Sequence, residues 1–319
     1  MLTVRSETCD VPGYVGRDVG GDVSSAALET LLHELVDYAG LFPPAALPMA
    51  EAVRAYDEHR RGAHAWMLGR FVLPIARLEE FERTAGPLLA RGAPWRLAAL
   101  GGAGDREVLE RANVRLAGRA VVDTLEVKAL TAADVAALEA CAGLCTPAGE
   151  PVPVYVELPV VEDPGALVAA IAALGLRAKV RTGGVTSDAF PTAAQLARFL
   201  AVCAAHDVVF KATAGLHHPL SGEYALTDDR ASPRGPMFGF LNVFLAALFL
   251  RAGLAESGAA ALLEERDARA IAFDAGGVSW RGHRLDAHSV DTLRERFAAS
   301  FGSCSFTEPV ESLTAMGLL

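Results

Sequence analysis

Residues 177–213 decide the fold. The stretch opens with Arg177-Ala178-Lys179-Val180-Arg181 and runs through an alanine- and leucine-rich segment at 192–205. It closes on Val208-Val209-Phe210-Lys211-Ala212-Thr213. The two flanking runs are short and largely apolar, and the middle has helical length. Two such runs around a helix read as parallel strands joined by a crossover. The same texture repeats upstream. Strand-like runs lie at 65–73, 95–100, 120–127 and 152–160, with helical stretches at 77–89, 105–116, 132–142 and 164–174. Six strands recur at roughly 30-residue intervals, the length of one repeating βα unit. The expected class is therefore α/β, a (β/α)8-type barrel irregular in its last two units, with N-terminal helices and a C-terminal hairpin and helix. An open doubly wound sheet is the competing architecture. No GxGxxG follows the first strand and no GxxxxGK[ST] occurs, so the usual nucleotide-binding signatures are absent.

The ends are less regular. Residues 1–22 are rich in Gly, Asp and Val without period. Ser24-Ser25 is a candidate N-cap for an amphipathic helix to residue 38, and Gly40-Leu41-Phe42-Pro43-Pro44 stops it. A second helix spans 49–61. This divides the chain into an N-terminal segment, 1–62, packing on a barrel with C-terminal additions, 63–319. Beyond the sixth strand, 219–235 reads as a polar loop with Tyr224, Asp228, Asp229 and Arg230, and 237–252 as a very apolar helix. Runs at 271–273 and 278–280 flank Ala275-Gly276-Gly277, which suggests a hairpin. A helix at 290–299, the segment Gly302-Ser303-Cys304-Ser305-Phe306 and a short helix from Pro309 end the chain. The seventh and eighth strands are not located by pattern.

Composition narrows the function. The 319 residues are 52% hydrophobic and 21% charged, ample for a large core. A net charge of -10 argues against a general nucleic-acid footprint and reads as solubility. The most apolar run, 238–250, suits a buried helix and is too short for a bilayer. The N-terminus lacks a basic region followed by an apolar one, so no secretory signal is expected. Five cysteines, Cys9, Cys141, Cys145, Cys203 and Cys304, are an odd and sparse set. They imply a reducing, cytoplasmic setting without disulfides. Cys141 and Cys145 lack a partner pair, so no zinc site is assigned, and no cofactor is expected.

Barrel strands alternate side chains between interior and helix layer, and catalytic groups collect at their C-terminal ends. Charges two apart in an apolar strand are therefore informative. Glu126 and Lys128 follow Thr124; Tyr155 and Glu157, Lys179 and Arg181, and Lys211 and Thr213 repeat the spacing on the next strands. Asp123 falls out of phase with Glu126. Two readings are open: a self-neutralising ion-pair network, or an active-site floor. The excess of Lys128, Lys179, Arg181 and Lys211 over the two glutamates suggests an anionic substrate. Gly183-Gly184 after the fifth of the six strands lets backbone N–H groups approach such an anion. His217 and His218 end the sixth. In an extended segment they point to opposite sides, so one, His217, can serve as acid or base.

Lys211-Ala212-Thr213-Ala214-Gly215 resembles the Lys-x-Ser/Thr-x-Gly of deoxyribose-phosphate aldolases, and the similarity extends back to Ala178-Lys179-Val180. The resemblance implies a class I aldolase-like barrel in which Lys211 forms a Schiff base. On that reading Lys179 and Arg181 are cations that lower the pKa of Lys211, and Glu157 or His217 moves protons. The expected substrate-binding set is Lys179, Arg181, Gly183, Gly184, Thr213, Glu126 and Lys128. The expected partner is a small anionic metabolite, not nucleic acid or membrane, and a homo-oligomer is compatible with the reading. An isomerase or another barrel enzyme that uses the basic pocket only to bind a phosphate or carboxylate remains open. So does a non-catalytic ligand-binding barrel.

Overall fold

A computed structural model describes residues 25–90, 92–186, 189–227 and 232–319. Eight parallel strands close a barrel, so the chain has a (β/α)8, TIM-barrel type fold. They are β1 (Val36–Tyr38), β2 (Leu68–Pro74), β3 (Trp95–Leu100), β4 (Ala120–Lys128), β5 (Val154–Leu158), β6 (Arg177–Arg181), β7 (Phe210–Thr213) and the last strand of the chain, β13 (Ala298–Ser303). β13 pairs with both β7 and β1 and closes the ring. The open sheet is thereby excluded.

The six strands expected from the pattern are all present. The two that escaped are β1 and β13. Helix α1 (Ala26–Leu32) is capped by Ser25, whose side chain accepts from Leu28 N at 3.3 Å. It stops well short of residue 38, because Glu34 takes a φ of 46° and turns the chain into β1. Three buried residues show no readable period against a preceding helix. At the other end, α10 (Ala287–Arg296) stops where β13 begins, so part of the expected 290–299 helix is strand. The first barrel strand thus lies inside the 1–62 segment, ahead of α2 (Met49–His59).

Crossover helices α3 (Leu78–Leu89), α4 (Arg106–Leu116), α5 (Ala132–Ala137), α6 (Gly165–Ala173) and α7 (Ala193–Ala205) coat the barrel. Thr192 starts α7 with a capping box: Gln195 N donates to its hydroxyl at 3.2 Å, and Thr192 N donates back to Gln195 Oε1 at 2.8 Å. Alternation along β2 sorts its side chains. Phe71 and Leu73 join the core between barrel and helices, while Arg70 and Val72 turn inward.

Between β7 and β13 the barrel carries its additions. β8 (Gly222–Ala225) and β9 (Arg234–Met237) form a hairpin in the expected polar loop; Asp228, Asp229 and Arg230 lie outside the described residues. α8 (Phe240–Arg251) is buried from Phe240 to Phe249 on every side, as its composition demands. After α9 (Glu256–Leu263), the expected hairpin appears as β10 (Ile271–Asp274) and β11 (Gly277–Trp280), extended by β12 (His283–Asp286). α11 (Thr307–Ala315) ends the chain against the barrel mouth. Among the described residues no helix is long and apolar enough to cross a membrane.

Candidate active site

The interior of the barrel holds one connected set of charges. Lys211 Nζ donates to Asp37 Oδ2 at 2.6 Å and to Glu126 Oε1. The other oxygen of Glu126 accepts from Lys179 Nζ at 2.8 Å. Lys179 also holds Glu157 Oε2 at 2.9 Å, and Arg181 Nε holds Glu157 Oε1 at 3.2 Å. Below, Asp37 accepts from Ser300 Oγ at 2.7 Å and from Arg70 N at 2.6 Å. The Arg70 side chain meets Asp123 at 2.6 Å, and Asp123 also meets Arg96 at 2.7 Å.

Local backbone features explain this convergence. The β6–β7 register places Lys179 opposite Lys211, and the β5–β6 register places Glu157 opposite Lys179. The β3–β4 register steps from Leu97–Val122 to Ala98–Thr124, a bulge that leaves Asp123 as the extra residue. The bulge brings Asp123 into the same interior network as Glu126 despite their odd spacing, so the phase argument against Asp123 does not hold.

The charges fix one another's protonation. Burial alone would raise the pKa of Glu126, but Lys179 and Lys211 outweigh it and hold the carboxyl down at about 2. Asp37 is likewise lowered, burial being overcome by Lys211 and Arg70. Glu157 is lowered by Lys179 and Arg181 against its burial. Lys211 moves the other way. Burial favours the neutral amine, yet Asp37 and Glu126 raise its pKa above the ordinary 10.5. The expected depression of the Lys211 pKa by neighbouring cations is therefore reversed: its nearest partners are carboxylates.

A cavity of about 440 Å³ opens at the C-terminal ends of the strands. Its polar wall includes Glu126, Lys179, Arg181, Gly183, Gly184, Thr213 and His217. Lys211 does not line it and lies beneath Glu126. Glu157 and Lys128 line an adjoining recess of about 370 Å³ that shares Arg181 with the main cavity. Lys128 is exposed and stands apart from the charge network. The basic excess read from sequence disappears once Asp37 is included. Asp37, Glu126 and Glu157 balance Lys179, Lys211 and Arg181.

Gly183 and Gly215 meet backbone to backbone on the polar wall. A Cβ on either would lie 2.9 Å from the other's Cα, and Gly215 has a φ of +71° that favours glycine. Among the described residues, no acceptor meets the N–H of Gly183 or Gly184. Ala214 and Gly215, both at positive φ, turn the chain just ahead of the histidines. Both rings face α11 rather than opposite sides, and His217 also lines the cavity. His217 Nδ1 lies 2.7 Å from Glu308 Oε2, and His218 Nδ1 lies 3.4 Å from Ser312 Oγ. His218 also stacks on Tyr224 at 3.7 Å.

Four contributors were not identified as site residues from sequence. Asp37 was hidden in a supposed helix. Arg70 gave only the signal of an arginine inside an apolar run. Cys304 and the Phe42-Pro43-Pro44 segment line the cavity, though by pattern they read only as part of a terminal segment and as a helix stop. A larger cavity, about 750 Å³, opens beside Glu34, Arg70, Arg294 and Ser300 at the opposite end of the barrel. The fold collects its chemistry at the C-terminal end, and Arg70, Arg294 and Ser300 are already engaged in interior hydrogen bonds.

No protein-family model, curated protein or solved structure matches the chain. The geometry therefore has to carry the functional argument alone. Among the described residues, none of Cys141, Cys145, Cys203 and Cys304 is joined in a disulfide, and no group of three His, Cys, Asp or Glu residues could hold a metal. Cys9 lies outside them.

Proposed function

We propose that this barrel is an aldolase-like lyase acting on a small anionic carbonyl compound, with Lys179 rather than Lys211 as the amine that meets the carbonyl. The observation that carries the reading is that only Lys179, of the two interior lysines, reaches the cavity. A lysine attacks a carbonyl as the free amine. Lys211 is kept charged by Asp37 and Glu126 and has no open space beside it, whereas Lys179 borders the cavity. Glu157, 2.9 Å from Lys179 Nζ, accepts the proton that Lys179 sheds. Nζ then adds to the carbonyl carbon, and the oxygen departs as water with one proton from nitrogen and the one Glu157 had taken. The resulting iminium accepts the electron pair of the carbon–carbon bond that breaks, while the hydroxyl on the departing carbon passes its proton to Glu157 and becomes the carbonyl of the first product. Return of that proton to the enamine carbon and hydrolysis of the iminium release the second product and free Lys179. His217, fixed through Nδ1 by Glu308, is a second proton-handling group on the same wall.

A second reading is supported by the two ion pairs of Lys179 at 2.8 and 2.9 Å. Lys179 stays an ammonium that polarises the carbonyl oxygen, while Glu157 shifts a proton as in an isomerase. Borohydride reduction in the presence of small keto acids and aldehydes, followed by peptide mass mapping, separates the two. The expected label is on Lys179. A label on Lys211 would return the amine role to the motif that resembles the aldolases. Turnover without any label would favour the isomerase.

A further inference from the structure

The cavity has two unlike walls, and the difference bears on what fills it. The polar wall comes from β4, β6 and β7. Facing it, Ala39, Phe42, Val72 and Leu100 come from the β1, β2 and β3 ends. Ala39, Val72 and Ala98 form a small apolar cluster separate from the main core, with Phe42 and Leu100 packed on it only partly buried. Leu226, just after β8, and Met237 of β9 add apolar surface from the hairpin. Strands β1 to β3 thus present carbon at their upper ends, while β4 to β7 present charge. Apolar surface left facing a cavity gains by covering with an apolar group.

The polar wall also limits the charge of the ligand. Asp37, Glu126 and Glu157 cancel Lys179, Lys211 and Arg181. A neutral site leaves any added anion without a surplus cation, and the repulsion from Glu126 and Glu157 is larger for two negative charges than for one. Arg181 offers a planar donor fork, 51% exposed, suited to a carboxylate. The N–H groups of Gly183 and Gly184, without an acceptor among the described residues, lie two and three residues further on.

Resting on the lyase reading above, we infer that the substrate is a monoanionic α-keto acid bearing an apolar substituent. Its carboxylate meets Arg181 and the Gly183-Gly184 backbone, its ketone meets Lys179, and its branched or aromatic tail covers Phe42, Val72 and Leu100. Phosphorylated carbonyls, as dianions, are disfavoured beside Glu126 and Glu157.

The test measures dissociation constants for pyruvate, α-ketoisocaproate, phenylpyruvate and dihydroxyacetone phosphate, with borohydride labelling of Lys179 run on each. The tailed acids should bind about tenfold or more tighter than pyruvate. Phe42→Ala should remove most of that advantage and leave pyruvate unchanged; Met237→Thr serves the same purpose should Phe42→Ala fail to fold. Arg181→Met should weaken all three keto acids by a similar factor. Equal binding of pyruvate and the tailed acids, with Lys179 still labelled, overturns the apolar tail and leaves the lyase reading standing. Tightest binding by dihydroxyacetone phosphate with Lys179 labelled overturns the carboxylate assignment alone. Absence of both binding and label across the panel overturns the inference and the lyase reading together.

Discussion

Lys179 and Lys211 are opposite one another on neighbouring strands and almost equally buried, at 3% and 1% exposure, yet they belong to different regions of the barrel. Lys211 sits in a closed floor. Asp37 and Glu126 grip it, and Ser300 and Arg70 brace Asp37 from below. Lys179 sits one level up, where its carboxylate partners border open cavities. The difference shows that burial does not identify a reactive lysine. What separates the two is whether space for another molecule exists beside the nitrogen, and whether the partners have other cations to turn to. Glu126 and Glu157 keep Lys211 and Arg181 as ion-pair partners if Lys179 lets go, whereas Asp37 without Lys211 keeps only the N–H of Arg70, the Ser300 hydroxyl and a guanidinium beyond ion-pair distance.

The contrast is broken most severely at the floor. Lys211→Met leaves Asp37 without its ammonium and Glu126 with only Lys179, and should destabilise the protein by about 3–5 kcal/mol, read from denaturant melts. A loss below about 1 kcal/mol would mean that the floor is not a structural ion pair after all.

Acid should attack the same network. Glu126 titrates at about 2 in the folded chain against an ordinary 4.5. A carboxyl with a lowered folded pKa stabilises the fold above its unfolded value, and that stability is lost as pH falls through the folded value. The melting temperature should therefore hold down to about pH 5 and fall steeply below it, with Glu126 alone accounting for on the order of 3 kcal/mol. Lys211, whose pKa is raised, keeps its contribution below 10.5 and loses it only at higher pH. A flat melting profile between pH 5 and pH 3 would contradict the coupled network.

The mouth should be the most forgiving. Lys179→Met leaves Glu126 with Lys211 and Glu157 with Arg181, so the stability cost should be only about 1–3 kcal/mol. Turnover and borohydride labelling should both disappear. If Lys179→Met costs as much stability as Lys211→Met, the two lysines are equivalent and the division into floor and mouth fails.

Local pattern in the chain accounts for much of this molecule. Short apolar runs with charges at alternate positions are read correctly as barrel strands, because interior and exterior faces impose a two-residue period wherever a strand is long enough to show it. The same period marks Glu126, Glu157, Lys179, Arg181 and Lys211 as one interior set. It fails for Val36–Tyr38, where three residues follow a helix, and at Ala298–Ser303, which directly follows α10. Those two strands close the ring, and with them came Asp37 and Ser300, the groups that hold the floor. Closure also placed Asp123, since a bulge is a mismatch between two strands and cannot be seen in either alone.

What the sequence by itself determined is six of the eight barrel strands, the charges those strands carry at alternate positions and the glycine pair at the mouth. Tertiary structure alone decided the partners of those charges. Lys179 and Lys211 carry the same side chain at the same strand phase, each between two carboxylates, and their difference rests on what the closed ring places beside each: a sealed floor for one, and the border of a cavity for the other. Electrostatic partners are set by distances across strands far apart in the chain. The sign of a pKa shift, and with it the choice of reactive amine, therefore emerges only when the barrel closes.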